Sequence, residues 1–182
     1  MSDATPSTAP PTLVLRPTRE ADLDSVLAIE RHPENAPFIG QWPREQHELT
    51  LRREGAEHSV VEAGSAIGGY LITYDLTADA FGIWLQRLAV IDKSRGVGRS
   101  VLAAYLTDAM PRLGADSAIL DVMRVNERAQ AMYRSLGFAE AMLPDDDLER
   151  LKNLVGGMDD DVIVMRLPRA PAPQERYEVR LG

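Results

Sequence analysis

The chain predicts a single α/β domain, on three observations. Apolar runs of strand length, among them Gly82–Val90, Ala118–Met123 and Val162–Leu167, recur along it, and each is bounded by turn residues or charge. Helical stripes lie between the later runs, the clearest being Val101, Leu102, Tyr105, Leu106 and Ala109, which share one face at a period of about 3.6 residues. Its 182 residues, 45% of them hydrophobic, suffice for one sizeable core but not for two.

The elements follow in order. Met1–Thr12 (MSDATPSTAPPT) is rich in Pro, Ser and Thr and is expected to be a disordered tail. Leu13–Pro17 predicts a first strand, and Thr18 an N-cap for a helix that buries Leu23, Val26 and Leu27 and ends near Pro33. Arg44–Glu54 predicts a second helix. Ser59–Ala63 and Ile67–Tyr74 predict a hairpin turning at Gly64 and Ser65. In Gly82–Val90 the apolar parity switches: Ile83 and Leu85 fall in one phase, Leu88 and Val90 in the other, with Gln86 and Arg87 between. A β-bulge, or burial on both faces, would produce that switch. A helix from Gly98 should end or kink at Pro111. Strand Ala118–Met123, helix Glu127–Leu136, strand Phe138–Met142 and a final strand Val162–Leu167 complete the domain, which spans 13–168. Asp145–Asp147 and Asp159–Asp161 flank a connection in which the acids are expected to be solvated. Residues 169–182 (RAPAPQ and beyond) read as an extended tail.

Composition excludes several function classes. With no cysteine there are no disulfides, thiolate nucleophiles or Cys-based zinc sites. A formal charge of −8 with dispersed Lys and Arg argues against nucleic acid as a partner; it suits a cationic acceptor, or serves solubility alone. No signal-peptide pattern and no long apolar run appears, so neither export nor a membrane partner is expected, and a cytoplasmic location is. His32, His47 and His58 fall at no metal-ligand spacing, and no GxSxG elbow is present.

Lys93–Ser100 (KSRGVGRS) joins the end of a strand to the start of a helix. Such a turn brings backbone N–H groups and the positive end of a helix dipole onto a phosphate. Gly96 and Gly98 let the backbone approach the oxygens, and Lys93, Arg95 and Arg99 add charge, with Val97 and Ser100 completing the cradle. A Walker A loop would need Gly-Lys-Ser/Thr, and a dinucleotide GxGxxG would need glycine where Val101 stands; neither is met.

Further on, Asn126–Phe138 reads NERAQAMYRSLGF. On a helix from Glu127, Ala129, Met132, Tyr133 and Leu136 share a face, so Tyr133 alone would be read as a core residue. Together, however, the two segments resemble the GNAT superfamily of N-acetyltransferases. The turn matches Q/R-x-x-G-x-G/A except that Lys93 holds the first place, where it keeps the charge of Arg but not its planar fork. Asn126, Ala129, Tyr133 and Gly137-Phe138 match N..A...Y...GF.

The resemblance covers about Leu13–Leu167. It implies a mixed, mostly antiparallel sheet of six to seven strands with about four helices, splayed at the central strands to admit the pantetheine arm of acetyl-CoA. It implies that 93–100 holds the diphosphate, that the Leu88–Val90 edge pairs with pantetheine and Val90 N–H faces the thioester oxygen, and that Asn126 holds the cofactor arm. Tyr133 would be the general acid for the thiolate. Asp121, inside the apolar run AILDVM, corresponds to the carboxylate taken as base in ribosomal-protein alanine acetyltransferases; from the residues alone it could equally be structural, bonded to Arg124, Arg128 or backbone N–H groups. The glutamate that some members carry in the preceding strand is replaced by Trp84.

Glu30, His32 and Glu34 lie where the fold lines its acceptor side, and Phe38 and Trp42 are either pocket wall or core. The implied activity is direct transfer of acetyl to a primary amine on a small molecule or peptide, with no metal. The alternative is a non-catalytic acyl-CoA sensor or partner-binding domain of the same fold. Homodimers are frequent in the family, though no interface is legible in these residues.

Overall fold

The computed structural model describes residues 10–93, 95–172 and 176–182. Of the expected N-terminal tail, 1–9 lie outside them, and Thr12 already belongs to β1. The elements are β1 (Thr12–Pro17), α1 (Leu23–Glu30), α2 (Arg44–Leu51), β2 (Ala56–Ala63), β3 (Ala66–Leu76), β4 (Gly82–Val90), α3 (Val97–Leu113), β5 (Ala118–Met123), α4 (Glu127–Ser135), β6 (Ala139–Glu140), α5 (Asp145–Val155), β7 (Val162–Leu167) and β8 (Glu178–Leu181). They form one eight-stranded sheet in the order β6-β7-β5-β4-β3-β2-β1-β8, parallel only at β4–β5 and β1–β8.

Helices cover both faces. Against one pack α3 and α4, through Val101, Leu102, Leu106 and Tyr133; against the other pack α1 and α5, through Val26, Ile29, Leu151 and Val155. This two-sided burial explains the near-continuous apolar strands.

The parity switch in β4 is a bulge. Ile72 pairs with Arg87 but Thr73 with Leu85, leaving Gln86 without an opposite residue on β3. Ile83, Leu85, Leu88 and Val90 therefore join one core, while Trp84 and Ala89 join the other. The opening that matters lies beside it. β4 and β5 pair only from Ile83↔Ala118 to Leu85↔Leu120. Beyond that point β4 stays with β3 and β5 with β7, and a wedge separates them.

Several expectations are corrected. Thr18 does not cap α1: its Oγ1 lies 2.9 Å from His58 Nδ1, and the chain enters through a short 3-10 turn at Glu20–Asp22, where Asp22 accepts from Arg19 N–H at 2.7 Å. Pro111 does not end α3, because in the last turns one lost N–H is tolerated; Gly114 ends it, with φ +65°, and Ala115 N–H closes onto Met110 O at 2.8 Å. The aspartates 145–147 open α5, where the helix dipole favours them. The tail from Arg169 returns to the sheet as β8 and pairs with β1, giving eight strands and five α-helices among the described residues.

One position carries a large steric demand. Gly82 has φ +77°, and a Cβ there would collide with the Ser117 carbonyl that accepts from Ile83 N–H at 2.9 Å. Gly82→Ala should therefore lower stability by about 2–3 kcal/mol in urea titration; a midpoint shift worth under about 0.5 kcal/mol would show that the β4 entry is slack.

Candidate active site

The wedge opens into a cleft of about 990 Å³. One wall is the end of β4. Ile91 N–H donates to Gly68 O (2.8 Å) and Gly69 stands opposite Val90. Since alternate residues of an antiparallel strand turn their N–H groups to opposite sides, Leu88 and Val90 turn theirs away from β3 and into the opening. Both line the cleft.

The floor at one end is the glycine turn. Gly96 is the N-cap of α3 in the left-handed conformation, φ +78°. Its carbonyl receives the first helical bond, from Ser100 N–H at 3.0 Å, so the N–H groups of Val97, Gly98 and Arg99 have no acceptor within the helix. A Cβ on Gly98 would stand 3.6 Å from Met132 Sδ and 3.8 Å from Leu88 and Val90 methyls. Those are ordinary contact distances, so the place admits glycine or alanine while a larger side chain would enter the passage between the turn and β4, and the turn fits a phosphate cradle.

Of the cations around it, Lys93 and Arg99 line the cleft. Lys93 donates to the Glu34 carbonyl, and burial and then the charge of Arg128 push its ammonium below the ordinary value. Arg99 reaches Ser135 O at 3.4 Å. Arg95 turns out to Asp92 (3.2 Å), and the side chains of Val97 and Ser100 are buried away from the cleft. Ser94 lies outside the described residues.

The opposite wall comes from β5 and α4. Asn126 caps α4, its Oδ1 accepting from Ala129 N–H at 3.2 Å, which fixes the side chain at the cleft rim. The Tyr133 ring packs on Phe138, centroids 5.7 Å apart. Its hydroxyl has no protein partner among the described residues, yet is not sealed in, so it opens to the cleft. Burial, then the charge of Asp121, raises its pKa above the ordinary phenol value, keeping the proton on.

Asp121 also lines the cleft. Burial foremost, with Asp159 adding to it, pushes its carboxyl up to about 6. The structural partners it could have had are engaged elsewhere, Arg124 with Asp161 (3.3 Å) and Arg128 with Glu34 (3.9 Å). Among the described residues no cation pairs with Asp121, which leaves it available as a proton acceptor.

A model of the acetyltransferase (GNAT) family matches residues 23–138. The chain belongs to that family. Solved structures agree in fold. An Escherichia coli ribosomal-protein-S18-alanine N-acetyltransferase superposes with a TM-score of 0.64 at 22% identity, over 89% of this chain and 97% of that one. A Vibrio cholerae spermidine N-acetyltransferase, solved with CoA and spermine, gives 0.66 at 15% identity over 87% and 96%. An aminoglycoside acetyltransferase in complex with coenzyme A gives 0.68 at 16% over 86% and 95%. No curated protein matches in sequence.

The far end of this GNAT cleft is built by the α1–α2 connection, where Phe38 and Trp42, open between wall and core from the sequence, line the cleft. What holds that wall was not legible in the sequence. Glu30, only 1% exposed, accepts from Tyr70 Oη (2.6 Å) and Arg87 Nη1 (2.8 Å) on Oε1, and from Trp42 N–H (3.1 Å) on Oε2. Arg87 also donates to Gly40 O (2.6 Å) and lies 3.9 Å over the Trp42 ring. His47 Nε2 sits 3.2 Å from Glu30 Oε1 without a hydrogen bond between them. His47 Nδ1 then meets His58 Nε2 at 3.1 Å. Glu30 is thus a buried anchor rather than an acceptor-side loop residue. His32 receives Glu34 N–H at 3.4 Å, and Trp84 is buried and donates to Gln86 Oε1 at 2.6 Å. Among the described residues no helix is long and apolar enough to cross a membrane, and no group of three His, Cys, Asp or Glu could hold a metal.

Proposed function

We propose that this GNAT acetyltransferase passes an acetyl group from acetyl-CoA directly to a primary amine, on a small molecule or a peptide, within a ternary complex. The observation that carries this is the wedge itself: free N–H groups of β4 on one side face the open Tyr133 hydroxyl and the unpaired Asp121 on the other. The structural relatives whose names state an acceptor act on a ribosomal-protein alanine, spermidine or an aminoglycoside, all amines.

Acetyl-CoA supplies an activated acyl carbon with a thiolate leaving group. The residues supply the rest. The turn at Gly96–Arg99 and Asn126 bind and orient the donor, and Val90 N–H donates to the carbonyl oxygen as it gains charge. Asp121 takes a proton from the amine nitrogen, directly or through a water, as the new C–N bond forms. Tyr133 gives its proton to sulfur as the C–S bond breaks. Exchange with solvent through the cleft then discharges Asp121 and reprotonates Tyr133.

An ordinary aspartate near about 3.9 is a feeble acceptor for an amine; at about 6, Asp121 is a better one. Because the carboxylate form is the active one, kcat/KM should climb with pH through about 6. Asp121→Asn should lower kcat/KM and erase that limb; a limb that survives in the variant would assign the base elsewhere. The overall reading is tested by incubating the protein with acetyl-CoA and a panel of amines and peptides while following free thiol. Amine-dependent thiol release is expected. Acetyl-CoA binding with no release under any acceptor would mark a non-catalytic sensor instead.

A further inference from the structure

One residue that lines the cleft comes from the C-terminal segment. Arg176 stands at the start of the C-terminal segment, and it lines the same cleft as Gly96 and Gly98. Its Cδ and Nη1 lie 3.5 and 3.8 Å from where a Cβ on Gly96 would be, so the guanidinium arm is laid across the apex of the glycine turn. Residing on a different stretch of chain some eighty residues downstream, it is held there by the sheet. β8 pairs with β1 from Thr12↔Glu178 to Leu15↔Leu181, Glu178 N–H donates to Pro11 O (3.1 Å), and Gly182 N–H donates to Leu15 O (2.9 Å). Tyr177 and Val179 pack against the α3 core, which sets the position of their neighbour.

The charges around the turn show what this arm adds. Arg95 spends its charge on Asp92 in solvent, and Lys93 reaches across to the Glu34 carbonyl. Arg176 has no carboxylate partner among the described residues, whereas Arg16, Arg44, Arg52, Arg112 and Arg180, on other parts of the fold, are ion-paired. A guanidinium left unpaired beside converging backbone N–H groups is a site for a phosphate oxygen, and its planar fork supplies the geometry that Lys93 lacks at the first position of the turn.

Resting on the acyl-CoA reading of the cleft, we infer that Arg176 is a binding residue for the diphosphate of the donor, delivered in cis by the C-terminal strand. The strand that sequence marks as a tail is then part of the cofactor site, and its pairing with β1 positions the charge.

The test is acetyl-CoA binding by calorimetry, with no acceptor present, for the wild type, Arg176→Ala, Arg176→Lys and Arg180→Ala. Arg176→Ala should weaken binding by about tenfold, as befits one charge-assisted contact at a partly solvated site. Arg176→Lys should recover only part of it, and Arg180→Ala, four positions on and within β8, should bind as the wild type does. The loss should shrink in high salt and persist when 3′-dephospho-CoA replaces CoA. Unchanged affinity in Arg176→Ala, with the wild type binding, would overturn the inference and leave the acyl-CoA reading standing. A loss that vanishes with 3′-dephospho-CoA would overturn the diphosphate assignment in favour of the 3′-phosphate. A wild type that binds no acetyl-CoA would bring down both.

Discussion

Tyr133→Phe should lower acetyl transfer by about ten- to a thousandfold while acetyl-CoA affinity stays within about twofold of the wild type. The substitution removes one oxygen and leaves the ring against Phe138, so neither α4 nor the cleft wall should move. What is lost is the hydroxyl that Tyr133 presents to the wedge, and with it a proton whose release burial and Asp121 together discourage. A phenol so held stays protonated at neutral pH and can give its proton as sulfur departs. The fall should therefore appear in kcat and not in KM for acetyl-CoA, and a good leaving group in place of the thiolate should restore part of the rate. Unchanged turnover would return Tyr133 to the status of a core tyrosine.

Glu30→Ala should destabilise the protein by about 3–5 kcal/mol, because it strands the buried Arg87 charge without its counter-ion. Through Trp42 N–H and Gly40 O the same pair pins the α1–α2 connection over β4, so the acceptor wall should loosen with it. Urea titration measures the first effect; a loss below about 1 kcal/mol would show that Arg87 finds another partner. The network also fixes the direction of acid sensitivity. Burial alone would raise the Glu30 carboxyl, but the surrounding His47, Tyr70 and Arg87 outweigh it and hold it below the ordinary carboxylate value. Stability from Glu30 is then present above the unfolded pKa of about 4.5 and is lost as pH falls through the lower folded one. Burial foremost pushes His58 down to about 3 from 6.5, so below 6.5 the unfolded chain binds a proton that the folded chain refuses. Both groups make stability fall toward acid, while the Asp121 carboxyl, raised from 3.8 to about 6, opposes them between those values, so the decline should begin near pH 6.5, flatten below about 6 and resume as pH falls toward 3.8.

Much of this architecture was legible because local patterns coincide with tertiary needs. The switch between Leu85 and Leu88 required a bulge or burial on both faces, and β4 has both, with Gln86 at the bulge. Gly64 and Ser65 announced the β2–β3 turn, and the two motifs placed Gly96, Gly98, Asn126 and Tyr133 on one cleft. Failures arose where a local signal had two uses. The run of aspartates at 145–147 looked like a solvated loop, but acids also open helices, and Leu151 and Val155 at helical spacing with Gly156 behind them carried the weaker signal. Thr18 looked like a cap, but its hydroxyl was taken by a histidine forty residues away. The return of β8 to β1, and the meeting of Glu30, His47, His58 and Arg87, depend on long-range pairing for which no period or spacing exists. Arg176 belongs to the same class: nothing in PRAPAPQER ties it to a turn eighty positions earlier.

The central claim is that the wedge between β4 and β5 is the seat of acetyl-CoA, and a crystal structure of the protein grown with CoA tests it most directly. The account predicts diphosphate oxygens on the N–H groups of Val97–Arg99, the pantetheine arm along Leu88–Val90, and the sulfur beside the Tyr133 hydroxyl. Coenzyme bound anywhere else, or bound with its sulfur remote from Tyr133, would contradict it.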